Sequence, residues 1–169
     1  MYAGPDQRVV DIDAAGGQPA AELRRDARAT ADELDVALAR LDDAGWAAQV
    51  RGALGRAIPA SEIPWMRGRE VWVHAVDLGT GTTWTDLPPE VIDALADDGL
   101  EGLGARNACP SAFLEPTDRT VTWRLGPAPE PSVVVGRPAA GLVAWLLGRD
   151  DGSTLVVAGG PLPVLPRWL

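Results

Sequence analysis

The hydrophobic period of this sequence changes once, near residue 104, and few folds accommodate such a change. From Pro19 to Gly45, the residues Leu23, Ala27, Ala31, Leu34, Leu38 and Leu41 follow one another at steps of four and three, the stripe of an amphipathic helix. Its other face carries Glu22, Arg24, Arg25, Asp32, Asp35 and Arg40, a solvated surface. A second helix is predicted from about Pro64 to Leu78, ended by Gly79. A third starts at Pro88-Pro89, after a cap at Asp86, and ends near Gly99. Met1 to Gln18 has no period and reads as loop or a short helical turn, and residues 46–60 read as a connecting segment around Trp46, Val50 and Leu54. Gly99 to Thr117, broken by Gly102, Gly104, Pro110 and Pro116, reads as a linker.

Beyond it the pattern is extended. Thr120 to Leu125 alternates like a half-buried strand, Ser132 to Val135 is a β-branched run, and Thr154 to Ala158 is a third strand. Residues 138–148 read as a helix between them, and the proline-spaced tail should pack through Leu162, Leu165 and Trp168. The expected class is α+β: a partial helical bundle over 1–104, then a small α/β domain over 105–169.

With 169 residues, 46% of them hydrophobic, the chain has enough apolar material for one sizeable core or two small ones. A net charge of −9 and a pI near 4.5 argue against nucleic acid as a partner, because phosphate recognition needs clustered cations. Cys109 is the single cysteine, so no disulfide forms within the chain; Asp6, Asp11 and Asp13 interrupt the region where a signal peptide would be apolar. No run reaches the roughly 18 apolar residues of a membrane span. The expected location is the cytoplasm.

Chemistry concentrates on the second predicted helix. Arg67, Glu70, His74 and Asp77 stand at steps of three, four and three, so at about 100° per residue they share an arc of about 80°. The flanking residues Val71, Trp72, Val73, Ala75, Val76 and Leu78 predict a buried helix whose polar stripe faces a cavity, a polar group or a metal. A carboxylate and an imidazole at i and i+4 can reach one ion, and they can equally hydrogen-bond each other within the helix.

The run Arg67-Gly68-Arg69-Glu70-Val71-Trp72-Val73-His74-Ala75-Val76-Asp77-Leu78-Gly79-Thr80-Gly81 closely resembles the metal-binding helix of the actinobacterial mycothiol-dependent maleylpyruvate isomerases. The resemblance continues through Asp86-Leu87-Pro88-Pro89-Glu90-Val91 and the ending Leu162-Pro163-Val164-Leu165-Pro166-Arg167-Trp168-Leu169. It implies a DinB-like helical bundle followed by an α/β domain. It further implies a divalent metal, usually zinc, held by Glu70, His74 and a histidine from an earlier helix. Arg149 falls where the family has an arginine thought to contact the anionic substrate or thiol; a surface arginine compensating a helix C-terminus is the competing reading. Arg67 and Asp77 fit either as groups that orient the ligands or as structural ion-pair partners.

The activity implied is cis–trans isomerisation of maleylpyruvate to fumarylpyruvate. A mycothiol thiolate adds to the double bond, the resulting single bond rotates, and expulsion of the thiol restores the double bond as trans. Thiol transfer to another electrophile, or a non-catalytic binding module, are the alternatives. This sequence departs from the family pattern in having one histidine. Cys109 could offer a thiolate, though a lone cysteine is more often a small buried hydrophobe. Tyr2-Ala3-Gly4-Pro5-Asp6-Gln7-Arg8 resembles a segment that follows the family's first two helices. The expectation is therefore an N-terminally shortened copy that binds metal poorly, has little activity, and exposes helix faces able to self-associate.

Overall fold

The computed structural model describes residues 5–51, 57–131 and 133–168. Leu54, Ser132, Leu169 and the stretch Tyr2-Ala3-Gly4, all used in the sequence reading, lie outside them. The chain forms two compact units, Met1–Gly68 and Arg69–Leu169, whose division falls inside one helix.

The first unit contains α1 (Pro5–Gly16), α2 (Ala20–Leu38), α3 (Asp43–Ala47) and the start of α4 (Ile63–Asp77). The region before Gln18, expected as loop or a short helical turn, is thus a twelve-residue helix. The 46–60 segment is not a plain connection either. Short strands β1 (Gln49–Arg51) and β2 (Ala57–Pro59) pair antiparallel, with Val50 opposite Ile58. Asp42 starts α3 by accepting a hydrogen bond from the Gly45 amide at 2.8 Å, satisfying one of the free N–H groups of a helix start. Ile58 and Ala60 are the buried apolar residues here. No residue of α2 is buried, although its stripe has the period of a packed helix.

The second unit carries the remainder of α4, then α5 (Pro89–Gly104), β3 (Ala112–Pro116), β4 (Trp123–Leu125), β5 (Val134–Arg137), α6 (Ala139–Leu146) and β6 (Val156–Ala158). The sheet order is β4-β3-β5-β6, antiparallel at both outer pairs and parallel between β3 and β5. The α+β class expected from the sequence is what the chain adopts. The compact division at 68–69 differs from the boundary expected after residue 104, because α5 packs on α6 in the same unit as the sheet.

The sequence Ala-Ala-Gly-Leu-Val-Ala-Trp-Leu of α6 is apolar on every side, which suits only a helix covered all round. It packs against β3 and β5 on one side and α5 on the other. Leu142, Val143, Leu146, Leu95, Leu103, Leu114, Leu125 and Val135 form the fully buried core between these layers. The α6 N-terminus is finished by a distant group: Asp118 Oδ1 accepts from the Ala139 amide at 2.7 Å. The turn after β4 depends on Gly126, whose φ is 73° and whose missing side chain leaves room for the Pro110 carbonyl.

Candidate functional site

The half of α4 that belongs to the second unit carries Arg69, Glu70, His74 and Asp77. It is less enclosed than its apolar content predicts. Val73 is its buried residue, while Val71 and Leu78 are exposed, so the polar stripe meets solvent instead of a closed cavity. The side chains of Glu70 and His74 are 48% and 59% exposed, which leaves both reachable from outside.

The imidazole stands between two carboxylates. Its Nε2 lies 3.3 Å from Glu70 Oε2, one turn back, and its Nδ1 lies 3.0 Å from Asp77 Oδ2, three residues on. Both contacts follow from helical geometry, since residues three and four apart are neighbours on one face. Asp77 is held in turn by Arg149: Nε donates to Oδ1 at 3.3 Å and Nη2 to Oδ2 at 3.1 Å. This arginine keeps the Asp77 carboxyl below the ordinary carboxylate range; partial burial opposes the shift and His74 adds to it.

Arg149 reaches this position through the way α6 ends. Gly148, with φ 73°, turns the chain; its amide donates to the Trp145 carbonyl at 3.0 Å, and the Arg149 amide donates to the Ala144 carbonyl at 2.8 Å. That pair of bonds is the Schellman arrangement, which requires a left-handed residue and so favours glycine. The Arg149 side chain also donates from Nη1 to the Leu147 carbonyl at 2.8 Å, which matches the expectation of an arginine at a helix C-terminus.

Arg69 anchors the same helix to the rest of its unit. Its Nη1 donates to Asp98 Oδ2 on α5 at 3.1 Å, and its guanidinium lies over the Trp168 ring. Sequence reasoning did not single out Arg69; its place directly before Glu70 was the available signal. Arg67 is exposed and belongs to the first unit, and Cys109 is a half-buried free thiol that donates to the Pro110 carbonyl and is pushed up by burial.

Donors bound to one tetrahedral zinc ion at about 2.0–2.1 Å stand roughly 3.3 Å from each other. Glu70 Oε2 and His74 Nε2 have that separation, and the same distance also permits a direct hydrogen bond between them. The pair therefore fits two corners of a metal site. Among the described residues no group of three or more His, Cys, Asp or Glu side chains could hold an ion, so these residues do not complete one.

The α+β fold and the Glu70–His74 pair do not by themselves fix a family, but similarity to known proteins does. The family model of the mycothiol maleylpyruvate isomerase N-terminal domain matches residues 1–79. The crystal structure of a mycothiol-dependent maleylpyruvate isomerase superposes with a TM-score of 0.87 at 32% sequence identity, covering 99% of this chain and 69% of that one. The structure of a histidine-to-alanine mutant of such an isomerase gives the same values. No curated protein matches this sequence significantly. The chain belongs to the mycothiol-dependent maleylpyruvate isomerase family, a family of enzymes.

Proposed function

We propose that this chain serves the mycothiol-dependent isomerisation of maleylpyruvate to fumarylpyruvate, with Glu70 and His74 as two ligands of a divalent metal, zinc by preference. The observation that carries the reading is the facing pair Glu70 Oε2 and His74 Nε2, 3.3 Å apart, in a chain of this family. A divalent ion there would stabilise the thiolate of mycothiol, which supplies the reversible addition that frees the cis double bond to rotate.

The chain's own residues have the following parts in this proposal. Glu70 and His74 offer an oxygen and a nitrogen donor on an accessible face. Arg149 has five N–H donors, of which Nε, one on Nη1 and one on Nη2 are engaged. The remaining two are proposed to meet a carboxylate of the substrate or an oxygen of the thiol cofactor, for which a planar guanidinium is suited. Among the described residues no third His, Cys, Asp or Glu joins this pair to hold an ion, and the sequence holds no second histidine. The proposed location is the cytoplasm, supported by a lone free cysteine; among the described residues no helix is long and apolar enough to cross a membrane. The stripe of α2, in which no residue is fully buried, supports self-association.

The test is to purify the parent and His74→Ala identically, measure metal by elemental analysis, and assay maleylpyruvate with and without mycothiol. Whatever metal and thiol-dependent turnover the parent shows, however low, is expected to be lost in the variant. Equal metal content and equal turnover in the two proteins would remove this helix from the reaction.

A further inference from the structure

The imidazole of His74 has a carboxylate oxygen at each ring nitrogen, and a neutral imidazole has one N–H to share between them. The nitrogen without the proton then turns a lone pair toward a carboxylate, which is repulsive unless that carboxylate can move or an ion lies between. The two carboxylates differ in their freedom to move. Asp77 Oδ2 is the nearer, at 3.0 Å, and both Asp77 oxygens are held by Arg149, whose own chain position is fixed by the turn at Gly148. Glu70 is farther, at 3.3 Å, is 48% exposed, and among the described residues has a 3.5 Å approach to Arg69 Nη2 besides. Glu70 can swing into water; Asp77 cannot turn away without giving up its guanidinium.

We propose that Asp77, pinned by Arg149, is a positioning residue that fixes the proton of neutral His74 on Nδ1 and so directs the Nε2 lone pair toward Glu70. This deepens the metal reading above and rests on it for its purpose, since a metal-bound histidine donates its other ring N–H to a carboxylate that sets its tautomer and orientation. It also gives Arg149 a second part, exercised through Asp77.

The chain's single histidine makes the tautomer directly readable. Long-range proton–nitrogen NMR correlations of the imidazole are recorded on the metal-free full chain at a pH well above that at which histidine is charged. In the parent, Nδ1 is expected to carry the proton. In Asp77→Asn the one acceptor oxygen of the new side chain stays with Arg149 and its NH2 faces Nδ1, so the proton is expected to move to Nε2. In Asp77→Ala nothing faces Nδ1, and the imidazole is expected to return to the Nε2–H form that free histidine prefers. Titration with Zn2+ alone should then show affinity lowered about 10–100-fold in both variants.

An Nε2–H tautomer in the parent, or a tautomer unchanged by both substitutions, overturns the proposal whether or not zinc binds. A parent with the Nδ1–H tautomer, lost in the variants, but without zinc binding upholds the role of Asp77 and overturns the metal reading instead. Far-UV circular dichroism confirms that the compared variants are folded; Asp77 is at an accessible helix end, where substitution leaves the core untouched.

Discussion

The guanidinium of Arg69 lies 5.6 Å from the centre of the Trp168 ring, so the next-to-last residue of the chain braces the helix that carries Glu70 and His74. Trp168 is buried, its Nε1 faces the Asp98 carbonyl at 3.4 Å, and its own carbonyl accepts from Arg106 Nη2 at 2.9 Å. Removing a buried tryptophan side chain commonly costs about 3–5 kcal/mol. Trp168→Ala is expected to lower stability by that order in urea denaturation, with Trp168→Phe losing less. A Trp168→Ala protein as stable as the parent would show that the tail contributes nothing to this core.

Acid should loosen the link between Asp77 and Arg149. The Asp77 carboxyl is held below its ordinary value of 3.8, first of all by the hydrogen bond from Arg149. A depressed carboxylate contributes stability that is complete above its unfolded pKa and disappears as pH falls through the folded value, because the unfolded chain takes the proton first. For the metal-free protein, the stability difference between parent and Asp77→Asn is expected to shrink as the pH is lowered from about 5 to below about 4. Thermal unfolding of both proteins between these limits is the measurement, and curves that stay parallel throughout would contradict it.

The turn at Gly126 should not accept a side chain. Its positive φ already strains any other residue, and an added Cβ would collide with the Pro110 carbonyl and the Ser111 hydroxyl. Gly126→Ala is expected to destabilise by more than about 1 kcal/mol, beyond the gain that a glycine-to-alanine change gives at a compatible site. An equal or higher denaturation midpoint would mean the turn can be rebuilt at no cost.

Zinc affinity offers a separate comparison. Loss of Glu70 or of His74 removes a donor itself, so Glu70→Ala and His74→Ala should each weaken Zn2+ binding by more than the roughly 10–100-fold typical of a supporting residue such as Asp77. Calorimetric titration of the three alanine variants tests this order. A reversed ranking would place the ion elsewhere.

Local patterns made α4, α6 and the start of α5 legible in the sequence, since each combines a helical stripe or apolar block with proline or glycine, but α5 continues to Gly104, past the end expected near Gly99. The buried Trp168 of the tail was legible as well. Strand β3 was read as linker because Pro110 and Pro116 frame it, although Ala112, Leu114 and Pro116 alternate inward as a strand should. The β1–β2 pair escaped because three residues are too few to display a period, and α1 because Val9, Val10 and Ile12 leave its apolar residues exposed rather than packed. Within the site, the facing of Glu70 and His74 followed from i, i+4 spacing. The clasp of Arg149 on Asp77 did not, because no local pattern encodes a contact between residues 72 positions apart.

That separation also has a meaning in time. At a synthesis rate of about 5–20 residues per second, Arg149 is added roughly 4–14 s after Asp77. Throughout that interval the imidazole of His74 has both carboxylates beside it in sequence but nothing to hold the second one still. The histidine of this chain is therefore present early in translation and set in place late, when the end of α6 has been made and folded.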